Sequence, residues 1–395
     1  MADPAVWPFA PGGEYSEELA WLTDMLQAPS GGTQHRRLRQ SPRTVIAFAA
    51  LESGAVRRRM ELLLRSNSAL PWWVPVAIDV RSLGSAVSIG ATSLPVTVDN
   101  ARFIGGGKVL AMGNDSAQYE LLSIASGGVS GSALTLSAAT TKAWPAGTLL
   151  YPVRRGNLAE APQIGRFTGD SVGLVELRFL LDDPLDTTAA LSGSTYRGLP
   201  VFDAFAPDWS SDPTWTPERL AVRIDDEIAT PFVADLAGVS TSKMVMRYAP
   251  DTAAAVVSFR AALFALAGRW SPVWVPTAAH DLRMVAAVSN GQSYIDVEGP
   301  LLSTMALPAN WRDIRIELDG GTVHHRRITA AAAQSATVDR LTLDSAITAG
   351  FALEAVRSVC FLSLCVQDSD TNRLDYFGPA MLQCELSWRE LDHEL

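Results

Sequence analysis

Apolar residues along this chain fall into two kinds of pattern, and both kinds recur in each half. Residues 56–64 and 257–266 read as short helices. Each runs into a tryptophan–proline stretch, Pro71-Trp72-Trp73-Val74-Pro75 in one case and Pro272-Val273-Trp274-Val275-Pro276 in the other. Elsewhere the period shortens to two. Residues 87–89, 95–98, 108–112, 119–124, 133–136 and 148–153 are short alternating runs bounded by Gly, Ser and Thr, which predicts a small β-barrel or sandwich. Residues 172–181 alternate well and read as a strand returning to one that begins near Thr44. Leu19, Leu22 and Leu26 match helical spacing, yet the corresponding downstream segment reads as a strand, so 17–26 stays open between the two. A second β module is predicted from runs at 293–297, 314–318, 326–329 and 340–343. Residues 182–215, rich in Asp, Pro, Ser and Thr, read as a linker and domain boundary.

The order of these elements repeats. Phe205-Ala206-Pro207 answers Phe9-Ala10-Pro11, and Trp274 answers Trp73 at a displacement of 201. Leu341-Thr342-Leu343 answers Leu134-Thr135-Leu136 at 207, and residues 383–388 answer 174–179. Order conserved along the whole length predicts an internal duplication. The expected fold is mainly β with a minor helical part. One unit comprises residues 1–77 with 157–190, interrupted by a small barrel at 78–156; the other comprises 191–277 with 366–395, interrupted by a barrel at 278–365.

Composition narrows the function classes. The 395 residues are 48% hydrophobic and 19% charged, which fits a folded chain with a sizeable core. No apolar run is long enough for a membrane helix, and residues 1–4 lack the features of a secretory signal. The net charge of −10 argues against general nucleic-acid binding. It is uneven: residues 1–195 hold 16 Lys and Arg against 17 Asp and Glu, while residues 196–395 hold 16 against 25.

Candidate chemistry is sparse. Cys360, Cys365 and Cys384 fit neither a metal motif nor a disulfide framework and read as buried thiols. Of the five histidines, His35, His280, His324, His325 and His393, only His324-His325 cluster, and strand neighbours face opposite ways. No metal site or cofactor is expected. The acidic pairs Asp182-Asp183 and Asp225-Asp226 lie in turn-like contexts. Eleven tryptophans are the more telling excess. Trp73 and Trp274 read as structural aromatics that seat the helices. Trp144 and Trp311 are the better places for a sugar to stack. A β-rich hydrolase is a further alternative, although no acid/base pair presents itself.

The opening, Trp7-Pro8-Phe9, Leu19-Ala20-Trp21-Leu22-Thr23-Asp24 and then Gln34-His35-Arg36-Arg37-Leu38-Arg39-Gln40-Ser41-Pro42-Arg43, resembles distal tail and other tail-tip proteins of long-tailed bacteriophages. The resemblance covers both halves in outline and is motif-like only at 33–48. It implies a tail-tube-like β-sandwich with one flanking helix, here twice, each with an inserted barrel. It also implies a non-enzymatic virion protein joining the tail tube to the baseplate. Its expected partners are itself, as a homotrimeric ring of pseudo-six-fold symmetry, the tail tube protein, and hub or fibre proteins. Arg36, Arg37, Arg39 and Arg43 would then contact an acidic neighbouring subunit. A carbohydrate-binding tail protein is the alternative.

Overall fold

The computed structural model describes residues 4–28, 31–167, 172–182, 187–228, 230–305, 307–308 and 310–392. It is mainly β, with 50% strand and 9% helix. The first half contains β1 (Ala5–Val6), β2 (Tyr15–Ala20), β3 (Thr23–Gln27), β4 (Thr33–Arg37), β5 (Arg43–Ser53), α1 (Gly54–Asn67) and β6 (Trp72–Pro75). There follow β7 (Arg81–Ser82), β8 (Ser93–Pro95), β9 (Lys108–Met112), β10 (Tyr119–Ser130), β11 (Ala133–Leu136), β12 (Leu149–Leu158), β13 (Ile164–Arg166) and β14 (Val172–Leu181). The second half contains β15 (Thr195–Tyr196), β16 (Leu199–Pro200), β17 (Thr214–Ile224), β18 (Phe232–Tyr248), α2 (Ala253–Leu266) and β19 (Val273–Pro276). It closes with β20 (Gln292–Glu298), β21 (Asp313–Leu318), β22 (Val323–Ser335), β23 (Val338–Ile347), β24 (Val356–Gln367), β25 (Thr371–Gly378) and β26 (Met381–Glu390). Among the described residues no helix is long and apolar enough to cross a membrane.

Two ladders use the same registers. In the first half Trp72 on β6 faces Gly156 on β12, and Gly156 faces Leu181 on β14. In the second, Val273 on β19 faces Cys365 on β24, and Cys365 faces Glu390 on β26. Leu177 lies opposite Phe48, and Leu386 opposite Met246. Even the parallel edge recurs: Val6 pairs with Trp73, and Val201 with Trp274. The ladders are continuous with each other. β25 pairs with β26 on one side and with β2 of the first half on the other, from Tyr15–Tyr376 to Ala20–Thr371.

Both helices pack into one shared core. Met60 and Leu64 of α1 and Phe259 and Leu263 of α2 meet Trp7, Phe48, Trp72, Phe179, Phe202, Tyr248 and Trp388. Separate apolar clusters form around Leu94, Leu122 and Trp144 in the first half and around Ile295, Ile316 and Leu341 in the second.

The structure resolves one open reading and differs from the sequence reading at three places. Residues 17–26 are strand, broken between β2 and β3. Residues 87–89 form no strand; Val87 makes only a bridge to Trp144. The predicted linker at 182–215 is not a free connection, because Val201 and Phe202 are fully buried in it. Strands β12 and β24 run across the predicted boundaries at 156/157 and 365/366 without a break.

Candidate functional site

The strand β2 is where the halves meet. Its alternation buries Tyr15, Glu17 and Leu19. Glu17 thus takes an inward position that an apolar residue would normally fill, and it is fully buried. Such a charge is tolerable only when paired and hydrogen-bonded. Arg260 of α2 donates to Oε1 at 2.6 Å, Arg102 from the loop before β9 donates to Oε2 at 3.1 Å, and the Tyr376 hydroxyl on β25 donates to Oε2 at 3.1 Å. Arg102 also reaches Asp79 at 2.6 Å. One carboxylate therefore ties together β2, the Arg102 loop, α2 and β25. Burial pushes its pKa up, but Arg260 and Arg102 outweigh that and hold it at about 2. A carboxylate so depressed and so fully engaged is unsuited to proton transfer near neutral pH. Its role is cohesion. The sequence carried one signal for it: Glu17 sits two residues from both Tyr15 and Leu19.

The hairpin β3–β4 continues this joint. Trp21 stacks edge-on against Phe264 of α2 at 5.7 Å, and the Arg37 guanidinium lies 5.5 Å from the Trp270 ring. Asp370, in the turn before β25, accepts from the amides of Thr23 at 2.6 Å and Arg269 at 3.0 Å. The approach is close enough that Gly268 is required: it has φ +68°, and a Cβ there would lie 2.5 Å from Asp370 Oδ1. Of the four arginines expected at a subunit contact, Arg37 and Arg39 are engaged within the chain. Arg37 donates to the Arg39 carbonyl at 2.9 Å, and Arg39 donates to the Ala20 carbonyl at 2.9 Å. Arg36 and Arg43 are exposed.

The predicted aromatic roles change. Trp72, not Trp73, faces the helices: Trp72 and Val74 are fully buried in the shared core, as are Val273 and Val275. Trp73 and Trp274 occupy matching positions on the opposite face of their strands. Trp73 is half-buried with the Lys108 ammonium 5.4 Å from its ring; Trp274 is buried against Tyr196 at 5.1 Å. Trp144 is no platform for a sugar. It is buried, and its indole donates to Glu120 at 2.9 Å. Trp311 stacks on Phe361 at 4.4 Å and on Trp215 at 5.4 Å, so its faces are taken by protein rings.

One constellation has the residue types of a hydrolase. Ser194 lies 3.5 Å from His325 Nε2, and Asp203 is near both. The order of the bonds is wrong for nucleophile activation, because the Ser194 hydroxyl donates to Asp203 at 2.6 Å instead of to the imidazole. Burial lowers the His325 pKa to about 4. Burial likewise raises the thiol pKa values of Cys360, to about 11, and of Cys365 and Cys384, which leaves all three inert. Asp225 and Asp226 accept backbone amides within their own turn, and Asp182 meets Asn157. Asp183 and His393 lie outside the described residues. Among the described residues no three His, Cys, Asp or Glu side chains group as a metal site.

Neither the known protein families nor the curated proteins contain a match to this chain.

Proposed function

We propose that the chain is a structural, non-enzymatic component of a bacteriophage tail at the junction of tube and baseplate. In this reading each half is a tail-tube-like β-sandwich with one flanking helix and an inserted small β-barrel, and the two halves descend from one duplicated unit. The observation that carries it is the second ladder repeating the first, register for register, with β25 joining the two into one sheet. A chain that sets two copies of a unit side by side supplies two positions of a ring. Three such chains make a ring with pseudo-six-fold symmetry toward a six-fold tube and true three-fold symmetry toward a hub or fibre. Its chemistry is then association: strand pairing, buried apolar area and charge complementarity. The tail tube protein, the hub or fibre proteins and further copies of the chain are its partners, and the virion tail tip is its location. The resemblance at residues 33–48 supplies the tail context. Electron microscopy of particles carrying a gold-labelled copy of the chain tests it. Label at the end of the tube next to the baseplate is expected; label on the head, or particles that lack the chain, would overturn it.

A further inference from the structure

The second-half hairpin formed by β17 and β18 extends far past its sheet. Its strands reach Ile224 and Phe232, and its two faces differ. Arg223 lies opposite Val233 and Ala221 opposite Asp235 on one face, where Arg219 pairs with Asp235 at 2.8 Å. On the other face Val222 lies opposite Ala234 and Ile224 opposite Phe232. That face is apolar and open: Ile224 is 60% and Phe232 63% exposed, and Ile228 beside the tip is 89% exposed. Exposed apolar side chains in a contiguous patch mark an interaction surface.

The first half shows what such a hairpin does. Its equivalent, β3–β4, lies against the C-terminal end of α2 through Trp21–Phe264 and Arg37–Trp270. The element equivalent to α2 is α1, and among the described residues the contact that β3–β4 makes on α2 has no counterpart there; α1 meets instead Arg166 of β13, which pairs with Glu61 at 2.9 Å. Arg58, Leu62 and Arg65 fall at helical i, i+4 and i+7 positions and are all exposed. Charge agrees with this vacancy. Residues 218–235 hold Glu218, Asp225, Asp226, Glu227 and Asp235 against Arg219 and Arg223, whereas α1 holds Arg57, Arg58, Arg59 and Arg65 against Glu61. An acidic hairpin with an open apolar face thus corresponds to a basic helix with an open face. The two halves' own joint supplies the placement: the operation that carries the first half onto the second, applied once more, brings a second copy's α1 to this hairpin.

We propose that the β17–β18 hairpin docks on α1 of a second copy of the same chain, head to tail. This deepens the ring reading and rests on the duplication within it, not on the tail assignment. Sedimentation of the full chain tests it. Wild type is expected at multiples of 42.3 kDa. Ile224→Asp with Phe232→Asp should weaken association at least about ten-fold and leave unchanged the circular-dichroism melt taken below the assembly concentration, because both side chains are exposed in one copy. Arg58→Glu with Arg65→Glu should weaken it as well. Adding Asp225→Arg, Asp226→Arg and Glu227→Arg to that pair should recover part of the loss, which no folding defect would do. A wild-type chain that stays monomeric to roughly 50 µM overturns the proposal. So does a wild-type oligomer whose association constant is unmoved by both surface variants, an outcome that would leave the ring reading in place with a different contact. Gold label away from the tail would discard the tail reading and leave these results standing.

Discussion

In the first half the paired strands leave the sheet, break after Ala20 and again before Arg43, and fold β3–β4 down onto α2. In the second half the matching strands run on without a break, and β17–β18 stands away from the body with Ile224 and Phe232 exposed. The strand order is the same; what differs is whether a partner lies within reach of the same chain. Where one does, the sequence places Trp21, Glu17 and Arg37 against it. Where none does, it leaves an apolar face on the hairpin and a basic face on α1. In the proposed reading, the contact that β3–β4 makes on α2 within the chain is the one that β17–β18 and α1 offer to a second copy.

The largest expected effects separate the buried Trp72 and Trp274 from the half-buried Trp73. Trp72→Ala and Trp274→Ala should each destabilise the chain by about 3–5 kcal/mol, as large-to-small changes at buried positions do. Trp73→Ala, on the half-buried face over Lys108, should cost about 1 kcal/mol. Chemical denaturation of the three variants reads this directly. Equal losses at Trp72 and Trp73 would contradict the assignment of faces.

Next comes the ionic joint. Glu17→Gln should cost about 3 kcal/mol, because Arg260 and Arg102 lose the charge that compensates their burial. In the second half, Trp215 occupies the matching place, opposite Met244 as Glu17 is opposite Ile46. It is exposed, so Trp215→Ala should cost under about 1 kcal/mol. The pH profile sharpens the comparison. The Glu17 carboxyl titrates ordinarily near 4.5 and at about 2 in the fold, so between those values the unfolded chain binds more protons. Its contribution is complete above about 4.5 and fades as pH falls toward 2. Glu17→Gln should flatten stability against pH in that window alone. His325, held near 4 by burial, adds a similar loss at a higher pH, between its ordinary 6.5 and about 4. A wild-type curve that is level from pH 6.5 to 3 would refute both.

How much of this was legible depends on whether a residue's environment is set by its neighbours in sequence. Strands 133–136 and 172–181 lie where the alternation put them, because one face of each meets a core. Strand β24 gave no such period: Val359 to Gln367 are buried throughout, and a strand covered on both faces has no polar phase to read. Trp72 and Trp73 are adjacent, and the pattern set Trp73 against Trp274 but could not tell which face of the strand meets the helix. That depends on β12 and β24, some 80 to 90 residues away. Glu17 was hidden for the opposite reason. A carboxylate is expected in water, and only partners from α2, β25 and the Arg102 loop make burial tolerable. Arg37 and Arg39 looked like a free basic arm because their acceptors are backbone carbonyls, which sequence does not display.

The smallest test compares the starts of the two helices. Both are preceded by a residue with a hydroxyl in extended conformation, Ser53 before α1 and Thr252 before α2. Only Thr252 uses it: its Oγ1 accepts from the Ala255 amide at 3.1 Å, satisfying one of the helix's unpaired donors. Thr252→Ala should therefore cost about 1 kcal/mol, and Ser53→Ala under about 0.5 kcal/mol. The difference lies in the caps themselves, because β3–β4 and Trp21 cover the C-terminal end of α2, away from Thr252. Chemical denaturation of the two variants reads it directly, and equal losses would show that the Thr252 hydroxyl adds nothing to the start of α2.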